Sequence, residues 1–405
     1  MVSVGGFNGT VSENLGPETD DLSETHEAMQ RKYSPMSWAI KSGTVVSVAA
    51  VALILVLLAV RARSKPDNLE LSVDSVAVRG GLADESSCVE CHAEAEEFFQ
   101  TGHANTLRRA NDPKSLVLLR QLLNYHDAAS EGTSIKEKSG SVIAVNRTLD
   151  VERRLHLDWC FGSGTHACTW VATMPDSFGN TDALEFRWSW FEEKHGFDLT
   201  PGQPKEPGKS AASAQGLFFD GPKARRCFSC HATHVPVFEG CIEDEGILPG
   251  VTCQRCHGPR QQHVLSGGDV HPKNWRIQDR MEAVSRCAVC HRLPEEREPE
   301  AIVADNPDIV RFQPMGLMQS KCFVNSDMRC TTCHDPHRTM KSQDAGGIWQ
   351  CIQCHSSEND VHTTCSAGND DECIKCHMPR VQMEFPVKFT DHWIRVRSES
   401  ELEHP

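Results

Sequence analysis

Seven times in this sequence two cysteines stand three positions apart with a histidine directly after the second. The triplets are Cys88/Cys91/His92, Cys227/Cys230/His231, Cys253/Cys256/His257, Cys287/Cys290/His291, Cys330/Cys333/His334, Cys351/Cys354/His355 and Cys373/Cys376/His377. A 405-residue chain with 19 Cys and 20 His would hold roughly 0.04 of them by chance. Two thiols one helical turn apart can add across two vinyl groups of one macrocycle, and the next His then lies under its metal. That is covalent c-type haem attachment, with the cysteines as thioether donors and the histidines as proximal iron ligands. Structural zinc also uses Cys-x-x-Cys pairs, but it joins two pairs around one ion and needs no His after each. The reading is therefore seven covalently bound haems.

The spacing of the triplets says what must hold them. The first starts at Cys88 and the second 139 positions later, while the remaining five follow at intervals of 26, 34, 43, 21 and 22. About 25 residues per haem is too little for a side-chain core, so the porphyrins are expected to be the apolar core, wrapped by short helices and loops. No fixed repeat length is present, which excludes a solenoid. The long gap has another texture. Leu116, Leu118, Leu119, Leu122 and Leu123 predict an amphipathic helix over Ser115–Tyr125. Leu184, Phe186, Trp188 and Trp190 alternate with Glu185, Arg187 and Ser189, the period of a half-buried strand. Val142–Val145 and Ala167–Val171 look similar, with Gly162-Ser163-Gly164 as a turn and Pro201–Ala214 as a loop. The expected fold class is mostly α and irregular, a haem-cored multihaem cytochrome c with a small β-rich insert over about 140–200.

Ser42–Val60 are nineteen uncharged residues, mostly Val, Ala, Leu and Ile. As a helix they would span roughly 28 Å, close to the hydrocarbon thickness of a bilayer. A signal peptide usually has a shorter apolar core and a small-residue cleavage site, and a buried core helix would show a polar face. The expectation is one uncleaved N-terminal transmembrane helix. Basic residues balance across it, so orientation follows from chemistry: haem is attached outside the cytoplasmic membrane. The expected organisation is a disordered cytoplasmic tail (1–40), an anchor (41–62), a linker (63–84), a seven-haem domain on the periplasmic side (85–395) and a C-terminal tail (396–405).

Composition narrows the role further. With 41 basic against 56 acidic residues, net −15, nucleic-acid binding is not expected as the main role. A mean hydropathy of −0.42 leaves room for one membrane span at most. Partners are then the membrane and either redox proteins or the quinone pool.

Twelve histidines beyond the linker lie outside the triplets: 103, 126, 156, 166, 195, 234, 263, 271, 337, 362, 392 and 404. Seven low-spin haems would need seven of them. His156 and His195 sit in strand-like or charged contexts and His404 at the terminus. Met378 follows a proximal His and faces the wrong way for that iron. The motif contexts narrow the rest. Gln100-Thr101-Gly102-His103-Ala104, Gly164-Thr165-His166, His257-Gly258-Pro259 followed by His263, His334-Asp335-Pro336-His337, His377-Met378-Pro379 and Thr390-Asp391-His392 resemble a bacterial multihaem group over residues 85–395. That group includes the tetrahaem cytochrome c of ammonia oxidisers, hydroxylamine oxidoreductase and pentahaem nitrite reductase. The resemblance implies His103, His263, His337 and His392 as distal ligands to haems other than the adjacent one, with His166 next. His234 and His362 complete the set, with His271 and His126 in reserve.

Two functions are compatible with such a chain. One is a membrane-anchored electron carrier with every iron six-coordinate. The other is an oxidoreductase of a small nitrogen or sulfur compound, with one haem open. No triplet has Lys in place of its His, and Tyr125 is the one Tyr beyond the anchor, so the special residues of the enzymes in that group have little counterpart. The carrier is favoured and no catalytic residue is assigned. Five further cysteines remain, and an oxidising compartment favours pairing: Cys322 with Cys365, and Cys160 with Cys168 across the turn that leads to His166, with Cys241 left over. Each could equally be a small buried apolar residue.

Overall fold

The computed structural model describes residues 81–148, 151–175, 181–208, 211–271, 279–304, 306–342, 348–355 and 372–397. All of these belong to one compact unit, Glu70–Pro405. The expected tail and anchor, most of the linker, His362 and Cys365 lie outside the described residues. Among the described residues no helix is long and apolar enough to cross a membrane.

The region between the first two triplets is richer in strand than its sequence suggests, and apart from the short strand Leu107–Arg109 the β structure runs from Thr133 to Phe219 rather than over 140–200. An antiparallel meander joins β2 (Thr133–Lys138), β3 (Ser141–Thr148) and β4 (Val151–Leu157). A six-stranded antiparallel sheet follows, in the order β1 (Leu107–Arg109), β5 (Trp159–Phe161), β6 (Ala167–Pro175), β7 (Thr181–Phe191), β8 (Gly196–Leu199). The last strand, β9 (Gly216–Phe219), also pairs with β7, further towards its start than β8 does. The apolar helix is present as an α-helical stretch, Pro113–Leu119, that tightens into a 3-10 turn over Arg120–Asn124. Asp112 caps it by accepting from the Lys114 N–H at 2.9 Å, and Pro113 occupies its first position.

The core of this insert lies between the meander and the larger sheet. Val142, Ala144, Leu155 and Leu157 meet Trp170, Leu184, Phe186, Trp188 and Trp190, closed by Leu119, Leu122 and Phe197. The alternation along β7 is the expected one, but its second face is not solvent. Arg187 and Ser189 are buried there. The Arg187 guanidinium donates to both Glu131 carboxylate oxygens, at 2.8 and 3.0 Å, and to the carbonyls of Pro204 and Lys205. A buried charge is tolerable only when so fully paired.

From Gly221 on, sheets give way to short helices, and five of these end on a triplet histidine. They are Gly221–His231, Cys253–His257, Arg280–His291, Ile348–His355 and Cys373–His377. One helical turn separates the paired cysteines, which explains the recurring spacing. Asp220 caps the first of the five and Asp279 the third, each through a backbone N–H three residues on. Residues assigned to the linker join this region: Leu82 and Ala83 are buried, and Ala83 exchanges two hydrogen bonds with the Gln254 side-chain amide, at 2.8 and 2.9 Å.

Candidate haem-binding cavity

The triplets converge on one cavity of about 4260 Å³, several times the volume that holds a single drug-sized ligand. All seven triplet histidines line it, as do all the triplet cysteines except Cys227. So do His103, His166, His263, His271, His337 and His392. His234 stands on the short strand Ala232–His234, outside the cavity wall. His126, His156 and His195 are exposed on the insert. Of these, only His126 is a ligand candidate by sequence, and its exposure outside the cavity removes it.

Ring geometry tests whether these side chains suit haem iron. Two imidazoles on opposite faces of one metal, each nitrogen about 2.0 Å from it, have ring centres about 6 Å apart. Three pairs meet that distance: His103 with His291 at 6.1 Å, His257 with His337 at 6.0 Å, and His334 with His392 at 6.1 Å. Each joins a triplet histidine to one from a remote part of the chain, so the residues fit bis-histidine ligation. His263 lies beside His271, with ring centres 5.6 Å apart, and His166 beside Phe389 at 5.2 Å. His271, a reserve ligand by sequence, is thus a cavity residue.

Burial gives these rings the protonation state a metal needs. It lowers the basicity of His103, His166, His231, His257 and His334, and takes His392 down to about 4. For His103 the neighbouring His291 and His334 add to the effect. Neutral imidazole is the ligating form.

Hydrogen bonds then fix which nitrogen faces the cavity. His377 Nδ1–H donates to the Arg395 carbonyl at 2.8 Å, His392 to Thr390 at 2.9 Å and His263 to Val270 at 2.9 Å, leaving Nε2 as the lone-pair nitrogen. His231 Nδ1 sits 2.7 Å from the Thr106 hydroxyl and 3.1 Å from its carbonyl. His291 Nδ1 sits 2.8 Å from Gln313 Oε1. Thr106 and Gln313 escaped the sequence reading, because an orienting partner carries no spacing signal. Two glycines set the backbone nearby. Gly250 has φ +78° and approaches so closely that a Cβ would lie 2.2 Å from the Ala104 carbonyl oxygen, next to His103. A Cβ on Gly316 would come within 2.8 Å of the Trp393 nitrogen, next to His392.

The cysteines of different triplets also meet. The Cys88 side chain contacts Cys253, with the Glu85 carboxylate beside them. Cys230 contacts Cys290, and Cys287 contacts Cys330. Attachment edges of neighbouring sites therefore abut.

Comparison with known proteins agrees with this chemistry. Residues 189–258 match the family described as cytochrome c554 and c-prime. The chain is 22% identical over 176 residues to the dissimilatory sulfite reductase MccA of Wolinella succinogenes, covering 34% of this chain and 23% of that protein. It is 23% identical over 198 residues to the multiheme cytochrome MtrA of Shewanella baltica, covering 38% of this chain and 60% of that one. The crystal structure of the outer cell wall cytochrome OcwA superposes with a TM-score of 0.44 and 14% identity, over 78% of this chain and 80% of that one. The chain thus spans about a quarter and three fifths of the two curated relatives. None of these matches carries the narrower resemblance to the tetrahaem cytochrome of ammonia oxidisers, hydroxylamine oxidoreductase or pentahaem nitrite reductase. Over these stretches the chain is similar to multihaem c-type cytochromes.

Proposed function

We propose that this protein is a seven-haem electron carrier, held in the cytoplasmic membrane by Ser42–Val60 with its haem domain on the periplasmic side. It would pass electrons between redox partner proteins or the quinone pool. Covalently bound haem supplies reversible one-electron chemistry. The observation that carries the reading is the set of three histidine pairs spaced about 6 Å apart, because two strong ligands leave no position open for a substrate. Under this reading His92, His231, His257, His291, His334, His355 and His377 are proximal ligands. His103, His337 and His392 are their partners at His291, His257 and His334, while His166, His263 and His362 are drawn on for the rest, with the cavity residue His271 in place of His234. Contacts between Cys88 and Cys253, Cys230 and Cys290, and Cys287 and Cys330 favour rapid transfer, since they bring attachment edges of different sites together.

The alternative is an oxidoreductase of a small nitrogen or sulfur compound, and the likeness to a protein named as a sulfite reductase favours it. Electron paramagnetic resonance of the oxidised full-length protein decides between them. The carrier gives only low-spin ferric signals. A high-spin signal integrating to one haem would overturn it and support the enzyme.

A further inference from the structure

Cys160 and Cys168 take no part in the haem triplets, yet they are wholly buried and side by side. Cys160 on β5 pairs with Trp170, and Cys168 stands two residues earlier on β6, so both project from the same face of the sheet. Their side chains are in hydrogen-bond contact. Gly162 and Gly164, at φ +97° and +89°, make the tight return between the two strands, and a Cβ on Gly162 would lie 2.2 Å from the Ala167 carbonyl oxygen. Arg108 closes the cluster, its Nη2 3.5 Å from Cys168 Sγ and 3.9 Å from Cys160 Sγ. That guanidinium keeps other partners, donating to the Asn105 carbonyl at 2.5 Å and the Ser115 hydroxyl at 3.3 Å. It would stay satisfied if both sulfurs were consumed.

We infer that Cys160 and Cys168 are a modification site, joined in the haem-loaded protein by a disulfide that locks the turn carrying His166. The inference rests on the proposed export of the domain, which supplies the oxidant: a protein or small-molecule disulfide. In the first step one cysteine thiolate attacks that disulfide and releases one thiol. In the second, the other cysteine attacks the mixed disulfide, releasing a second thiol and closing the bridge. Two thiols are oxidised and one external disulfide is reduced to two thiols. Because neither sulfur is exposed in the finished fold, the exchange precedes the packing of the two strands under Leu118 and Ser115.

Haem-bearing full-length protein is trapped with iodoacetamide at lysis, unfolded in guanidinium with more iodoacetamide and no reductant, and cut after Phe161 with chymotrypsin. The expected result is that the Cys160 and Cys168 peptides are recovered linked, unalkylated, and separate on reduction with a gain of two hydrogens. Separate alkylated peptides from haem-bearing protein would overturn the bridge alone, as would a link from either cysteine to a third. Alkylated thiols on a chain without covalent haem would overturn the exported-cytochrome reading, and the bridge with it.

Discussion

Glu185 occupies the covered face of β7, beside the helix Gly221–His231, and burial raises its carboxyl to about 7 despite the pull of Lys223. An unfolded Glu titrates near 4.3, so the native state binds the proton more tightly. Stability is full below pH ~4.3, where the group is neutral in both states, and falls as pH rises towards 7 and the native carboxyl is forced to ionise. At 1.36 kcal/mol per pH unit the loss is about 3.5 kcal/mol by pH 8 and about 1 kcal/mol at pH 5. Glu185→Gln keeps shape and hydrogen-bonding capacity without the charge. Guanidinium unfolding followed by far-ultraviolet circular dichroism should find the variant more stable than the parent by about 3 kcal/mol at pH 8 and by under ~1 kcal/mol at pH 5. Every other titrating group is common to both proteins and cancels in the difference. A gap equal at both pH values, or a parent more stable at pH 8, would refute the assignment of a desolvated carboxyl.

Other perturbations follow from the same geometry. His337→Ala should leave the haem of His257 with one axial ligand, producing a high-spin signal and carbon monoxide binding that the parent lacks; an unchanged spectrum would show that His337 does not ligate. Arg187→Met strips the half-buried Glu131 carboxylate of its partner and should cost about 3 kcal/mol in the same unfolding assay. Acid-acetone extraction should leave the colour on the protein and intact mass should exceed the apoprotein by seven haems; five or fewer would refute the triplet reading. The full chain should stay in the membrane fraction through a high-salt wash, and release by salt alone would show that Ser42–Val60 is not an anchor.

What was legible in the sequence was local. The Cys-x-x-Cys-His spacing is a statement about one helical turn, and the helices ending on His231, His257, His291, His355 and His377 bear the mark of it. The alternation along β7 gave the right strand but the wrong second face. Glu185, Arg187 and Ser189 read as solvent-facing because the helix Gly221–His231 and the carbonyls of Pro204 and Lys205, which cover them, lie well downstream. The meander began earlier than expected because Thr133–Lys138 is polar and charged, with no apolar period. Partnership between histidines was the least legible of all, since nothing in the neighbourhood of His103 points to His291.

That partnership has a consequence for how the molecule is made. Under the proposed ligation each pair ties the chain into a closed loop, of 188 residues for His103–His291, 80 for His257–His337 and 58 for His334–His392. Such ties act as cross-links, restricting the unfolded ensemble in the manner of a disulfide. A chain emerging N-terminus first would have His103 waiting when His291 arrives, whereas the sites of His257 and His334 stay half-coordinated until later residues appear. His392, held to Ser320 through its carbonyl at 3.2 Å, would be the final latch. A chain cut short before it would carry its cofactors yet keep one iron unlatched.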